Sequence, residues 1–177
     1  MSNIIVKMIK SFASENSVGV NDGLTNTEFF KAQNDIGVAI PDDLKLLLHS
    51  VNGTSIPPGG IFGINTPQDF LDIIEVYKLY PEWKEKGWIP IATDGCGNYY
   101  AVVTNNEFNI LNCVVFIDTM ESTSKPSFIV SSNIWAFLQG LINEERNQEG
   151  WPFDKDGVLA RDPDVEKSQN IAYPWEV

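Results

Sequence analysis

A chain of 177 residues with 43% apolar and 20% charged side chains can bury a core of its own and is too apolar to stay disordered. Its formal charge of −12 is spread along the sequence, with 13 acids against 6 bases in residues 25–143 and 9 against 4 in residues 144–177. This argues against nucleic acid as a partner, because phosphate binding needs clustered Lys and Arg, and it suits a basic protein surface equally as well as it suits plain solubility.

The N-terminal apolar run, Ile4-Ile5-Val6, stops at Lys7 and is too short for a secretory signal. Pro126 to Asn143 carries no charge, but its Pro, Ser, Asn and Gln residues interrupt any run of about 20 apolar residues. No membrane span is expected, and the reading is a cytoplasmic protein. Two cysteines, Cys96 and Cys113, match neither a disulfide framework nor a zinc ribbon. Reduced thiols are expected, and whether the two lie close enough to pair is left open.

In chain order, residues 1–24 read as a helix and a loop: Ile5, Met8, Ile9 and Phe12 fall at helical spacing, and Ser17 to Leu24 carries Gly19 and Gly23. Thr25-x-x-Glu28 fits a capping box that opens a helix ending near Gly37. Pro41 suits a first helical position, Asp42 and Asp43 suit the positive end of the helix dipole, and Leu44, Leu47, Leu48 and Val51 share one face. Asn52-Gly53 reads as the left-handed stop of that helix. A short strand is expected at Ile61 to Ile64. A helix then starts at Thr66-Pro67, turns Phe70, Ile73, Ile74 and Tyr77 inward, and ends before Gly87. Trp88 to Ala92 reads as a strand whose Pro90 implies an edge or a bulge. Asp94-Gly95-Cys96-Gly97-Asn98 forms the turn of a hairpin that returns through Tyr99 to Val103. Val114 to Asp118 and Ser127 to Val130 add two strands, and Ser132 to Ile142 a final long helix. Residues 144–177 form a proline-punctuated tail whose Trp151, Phe153, Ile171, Tyr173 and Trp175 are too apolar to be left free, so it is expected to pack on the domain. Helices, then antiparallel strands, then a helix describe an α+β fold in a single domain spanning residues 1–177.

The means for catalysis are thin. His49 is the sole histidine and falls off the apolar face of its helix, so Ser/His/Asp or Cys/His chemistry has one candidate base at most, and a histidine-ligated metal site, which usually takes several His or Cys ligands, is not expected. The 94–98 turn is not a calcium loop, since Cys96 fills position 3, where an oxygen ligand belongs, and Asn105 fills position 12, where a glutamate belongs, and it is not a phosphate loop, since a strand follows it. Two glycines permitting positive φ explain it, with a recognition loop at the edge of a groove as the alternative. Asp118 and Glu121 follow a strand end, as solvated turn residues or as the lining of a cleft with Asp94. Trp88, at the start of an edge-like strand, is the tryptophan that stands out as a binding platform. No catalytic residue, cofactor or metal is expected. The candidate partner-binding residues are Trp88, Asp94, Asn98, Asp118 and Glu121.

Ile40-Pro41-Asp42-Asp43-Leu44, Val51-Asn52-Gly53, Ile61-Phe62-Gly63, Trp88-Ile89-Pro90-Ile91-Ala92 with Asp94-Gly95 and Gly97-Asn98, Val115-Phe116-Ile117-Asp118, and Ser131-Ser132 before Phe137-Leu138 occur in an order that resembles the SUKH superfamily. That group is named for bacterial immunity proteins and fungal cell-wall-synthesis regulators of the Smi/Knr type. Leu159-Ala160-Arg161-Asp162-Pro163 and Pro174-Trp175-Glu176 look like the ending of bacterial members, so the resemblance covers roughly residues 25–177. It implies a curved, mostly antiparallel sheet of about five to six strands with helices packed on one side. It also implies an immunity protein that binds and neutralises a basic polymorphic toxin of nuclease or deaminase type, or else a non-catalytic regulatory or scaffold module of the fungal kind. Which toxin, which surface, and whether the protein forms a homodimer are left open.

Overall fold

The computed structural model describes residues 2–148 and 150–177. Helix α1 (Ser2–Glu15) buries Ile5, Ile9, Phe12 and Ala13 on one stripe. The stretch read as a loop contains a short strand, β1 (Val20–Asp22), which carries too few residues to show a period of its own. Helix α2 (Asn26–Ile36) opens on the reciprocal cap its sequence requires. Thr25 Oγ1 accepts from the Glu28 N–H at 3.3 Å, and Glu28 Oε2 accepts from the Thr25 N–H at 2.8 Å. It ends on Gly37 in the left-handed region at φ 66°.

Helix α3 (Asp42–Ser50) starts one residue later than the proline suggested, with Pro41 as the cap and Asp42 and Asp43 in the first turn. It does not stop on Asn52-Gly53. The chain turns extended at Val51 and runs straight into β2 (Val51–Thr54), which pairs antiparallel with β1. Asn52 is only 5% exposed, and its side chain behaves as a piece of backbone. Its Nδ2 donates to the Ile64 carbonyl at 3.0 Å, and its Oδ1 accepts from the Ile64 N–H at 2.8 Å. A side chain at Gly63 would come within 2.5 Å of Asn52, so this close approach needs glycine.

The segment expected as a strand at Ile61 to Ile64 makes single bridges, from Ile61 to Thr54 on one side and to Ala92 on the other. Those bridges stitch the β1–β2 pair to the main sheet. The long helix expected from Thr66 is instead three short pieces: a 3-10 turn (Asp69–Leu71), α4 (Ile73–Leu79) and α5 (Pro81–Glu85). Asp72 breaks the first junction by capping α4, its Oδ1 accepting from the Ile74 N–H at 2.9 Å and the Asn65 N–H at 3.2 Å. Pro81 breaks the second, since it disfavours helical backbone at Tyr80. Phe70 consequently points outward at 65% exposed, and Leu71 takes the buried place.

Strands β3 (Trp88–Thr93), β4 (Tyr99–Val103), β5 (Cys113–Ile117) and β6 (Phe128–Ser131) form an antiparallel sheet in that order. The register slips between Pro90 and Ala92, the irregularity the proline implied. Helix α6 (Ile134–Glu145) starts on Asn133, whose Oδ1 accepts from the N–H groups of Trp135 and Ala136, and runs one turn past Ile142. It packs on β5 and β6, with α1 and α3 against it, while α4 and α5 pack on β3. The architecture is α+β.

The C-terminal residues form α7 (Lys155–Arg161) and two 3-10 turns (Pro163–Lys167 and Pro174–Glu176). Trp151, Val158 and Val165 are buried, and the Ile129 N–H donates to the Ala172 carbonyl at 3.0 Å, so the tail covers the outer edge of β6. Buried Asp162 ties it to the start of α6, its carboxylate accepting from the Ser132 N–H at 2.6 Å and the Ser132 hydroxyl at 2.5 Å.

Removing the Asn52 amide would leave the buried Ile64 N–H and carbonyl without partners. Asn52→Ala is expected to lower unfolding free energy by about 2–4 kcal/mol in urea titration, since each buried orphan costs about 1–3 kcal/mol. A loss below about 0.5 kcal/mol would contradict this role.

Candidate functional site

Two glycines shape the turn between β3 and β4, with Gly95 at φ 76° and Gly97 at φ 99°. Asp94 organises it from within: Oδ1 accepts from the N–H groups of Cys96 at 2.8 Å and Asn98 at 3.1 Å, and Oδ2 accepts from Asn98 Nδ2 at 2.8 Å. Asn98 Oδ1 then accepts from the Thr119 N–H at 3.1 Å, and Thr119 Oγ1 donates to the Gly97 carbonyl at 3.0 Å. Asp118 folds its own loop in the same manner, accepting from the N–H groups of Met120 and Glu121. The 94–98 and 118–121 loops are thereby sewn into one rim at one end of the sheet.

Behind that rim lies an open groove of about 490 Å³. Its floor is a cross-strand row set by register: Tyr100 pairs with Phe116, and Phe116 with Phe128, so all three rings project from the same face of β4, β5 and β6. Ring centroids are 5.2 Å apart for Tyr100 and Phe116 and 4.9 Å for Phe116 and Phe128, the latter stacked. One wall carries Asp94, Asn98 and Asp118. The opposite wall comes from the last turn of α6, with Glu144 and Glu145, and from Pro152 and Phe153. Among the described residues that line the groove there is no lysine, arginine or histidine.

The charges act on one another. Burial pushes the Tyr100 phenol well above its ordinary value, and the negative charges of Glu144, Asp94 and Glu145 push it the same way. Burial also raises the Glu145 carboxyl. No cluster of three or more His, Cys, Asp and Glu side chains with metal-binding geometry occurs among the described residues.

Of the residues singled out in the sequence, Asp94, Asn98 and Asp118 line the groove, and Glu121 sits in the adjoining turn, accepting from Ser127 Oγ at 3.3 Å. Trp88 is elsewhere. It pairs with Val103 at the far end of the hairpin and is 1% exposed. Its indole N–H donates to Glu107 and its carbonyl accepts from the Tyr77 hydroxyl. An aromatic side chain closed off in this way supports the sheet from within and offers no platform. His49 is half-buried, with Nδ1 2.6 Å from the Leu24 carbonyl and its ring beside Phe29. Cys113 pairs with Val103, whereas the turn holding Cys96 adjoins Tyr99 opposite Ile117, so the two thiols occupy opposite ends of the ladder and are both free. Sequence reading did not single out Tyr100, Phe116 and Phe128, which fell within expected strands, or Glu144, Glu145 and Phe153, which fell within the expected tail.

A second concavity lies between β1, the N-terminus of α2 and the loop at Asn65. Its polar groups are largely spent on one another: Asn21 Nδ2 donates to the Asn52 carbonyl and to Gln68 Oε1, and Glu28 is held in the capping box.

The structure is an α+β domain with an aromatic-floored, acid-rimmed groove at one end of its main sheet. Residues 23–140, two thirds of the chain, match the model of the SMI1 / KNR4 family (SUKH-1), and the chain belongs to that family. A search of curated proteins found no match. The matched segment supplies the sheet side of the groove, while Glu144, Glu145, Pro152 and Phe153 lie beyond it. No helix among the described residues is long and apolar enough to cross a membrane.

Two measurements follow from these environments. Burial pushes the Cys113 thiol up to about 12, while Cys96 is exposed. At pH 8 one thiol per folded chain, Cys96, should react with a maleimide, and the second only after denaturation; two equally fast thiols would contradict the placement. Because Glu145 has a raised folded-state value, the folded protein binds that proton more tightly than the unfolded chain. Its stabilising share is therefore present at low pH and lost as pH rises through the folded value. Glu145→Gln should raise the Tm at pH 7 by about 2 °C and change it little below about pH 4. A lower Tm at pH 7 would contradict this.

Proposed function

We propose that this chain is an immunity protein, a non-catalytic cytoplasmic partner that binds a basic bacterial polymorphic toxin of nuclease or deaminase type and neutralises it. The observation that carries the reading is the groove, where Asp94, Asp118, Glu144 and Glu145 converge with no base among the described lining residues. Family membership and the −12 charge support it. A toxin that grips nucleic acid does so with Lys and Arg, and an acidic surface steers such a partner and competes for those side chains. Asp94, Asn98 and Asp118 form the contact rim in this account, with Glu121 beside it. Trp88 acts indirectly, by holding the hairpin that bears the turn. Binding at an aromatic floor supplies the desolvated anchors from which most interface energy comes.

Co-expression with the toxic domain encoded by an adjacent gene should restore growth, and the two chains should co-purify as a stoichiometric complex. Raising salt from about 0.01 M to about 0.15 M shortens the Debye length from about 30 Å to about 8 Å, so association should slow by at least about tenfold. No rescue and no complex would overturn the reading. Defined capture of endogenous host proteins in its place would point to the regulatory module.

A further inference from the structure

We propose that Gly59 is a positioning residue of the groove: its bare backbone is the seat on which the 94–98 turn rests, and the seat sets where Asp94 and Asn98 stand at the lip. This deepens the reading above and rests on the groove being the face that meets the partner.

The seat belongs to the loop Pro57-Pro58-Gly59-Gly60, which runs behind the turn. A side chain at Gly59 would stand 2.4 Å from the Gly95 nitrogen, 2.6 Å from the Thr93 carbonyl oxygen and 2.7 Å from Thr93 Cγ2. The contact is reciprocal, since a side chain at Gly95 would stand 2.7 Å from the Pro58 carbonyl oxygen. Gly59 is not among the glycines with positive φ, so space and not backbone conformation demands glycine there. The loop has no room to step back. Gly60 is buried, and a side chain on it would come within 2.6 Å of Leu71 Cδ2 and 3.1 Å of the Thr54 carbonyl oxygen. The Gly60 carbonyl accepts from the Thr93 N–H at 3.3 Å, and Ile61 bridges to Thr54 on one side and to Ala92 on the other. When the space at Gly59 is filled, the turn is the part that yields.

Hydrogen bonds inside the turn fix its shape and not its height above the groove. Asp94 gathers the N–H groups of Cys96 and Asn98, and the Gly95 N–H donates to Thr93 Oγ1 at 3.2 Å. Height comes from the contact behind. Its effect reaches the other loop of the rim, because Asn98 Oδ1 accepts from the Thr119 N–H and the Thr119 hydroxyl donates to the Gly97 carbonyl. Pro58 lines the groove together with Asp94, Asn98 and Asp118. The rim is therefore three loops in series, 57–60, 94–98 and 118–121, with Gly59 at the first joint. Polar contacts to a partner weaken steeply once distance or angle is lost, so a displaced rim binds poorly.

The test uses the full chain, with Cys96 as a reporter inside the turn. Overpacking of this kind costs enough to open the contact locally, so in Gly59→Ala the Thr119 N–H should exchange about tenfold faster. Alkylation of Cys96 by iodoacetamide at pH 8 should change in rate by at least about twofold, while buried Cys113 stays protected. Gly19→Ala, where nothing lies within 4 Å of the added carbon, should move neither reporter. A role in stability alone would lower the unfolding midpoint without singling out the rim. Unchanged Thr119 exchange and Cys96 rate in folded Gly59→Ala would overturn the inference. Should that variant not fold, the unaltered protein decides: strong nuclear Overhauser contacts are expected between the Gly59 methylene and the Gly95 N–H, and their absence overturns it. With the toxic domain encoded by an adjacent gene, Gly59→Ala should bind about tenfold more weakly, and full affinity despite displaced reporters would also overturn it. The two readings fail separately. Reporters that move without any toxin complex sink the immunity reading alone, and a complex that forms while the reporters stay put sinks the inference alone.

Discussion

Strand β4 is held by five consecutive antiparallel pairs to β5 and is buried on both faces, and the rest of the molecule is hung from that constraint. Successive residues of a strand point to opposite sides. Tyr99 therefore faces Tyr80 and Trp83 beside α4 and α5, while Tyr100 faces Phe137 of α6 and Trp151 of the tail. A slip of one residue would exchange the two faces and misplace both sets of helices. The same register carries Phe116 and Phe128 into line with Tyr100 and so makes the groove floor. The turn that begins β4 then sets Asp94 and Asn98 at the groove's lip.

Groove and stability pull in different directions. Two glutamates stand at the negative end of α6, and burial raises the carboxyl of one of them, Glu145, so they are costly in the isolated protein and, under the proposed function, favourable beside a basic partner. Sites of this kind persist when the surrounding structure holds them in place. Here the buried Asp162–Ser132 contact fixes the returning tail against the start of α6, and Trp151 packs against Gly140 where a side chain would collide. Both walls are thus held by contacts within the chain, which under the proposed function lowers the ordering cost of binding.

Local chemistry was legible in the sequence. The Thr25 cap, the acids opening α3, the two-glycine turn at 94–98 and the irregularity at Pro90 each depend on a few neighbouring residues, and each is where the sequence puts it. What depended on distant partners was not. Asn52 looked like a helix stop because its partner, Ile64, lies 12 residues away. Phe70 looked inward because the capping of α4 by Asp72 was not foreseen. Of the groove, the polar rim could be read from the turn residues. The aromatic floor required the strand register, and the wall of Glu144, Glu145 and Phe153 required knowing how the tail returns.

Hydrogen–deuterium exchange on the complex with a basic protein partner tests the central claim, that this end of the sheet is the docking face. The account predicts slowed exchange in the 94–98 and 118–121 loops and in residues 150–154, with little change around Asn21, Asn52 and Asn65. Protection confined to that second concavity or to α2 and α3, with the groove loops exchanging as in the free protein, would contradict it.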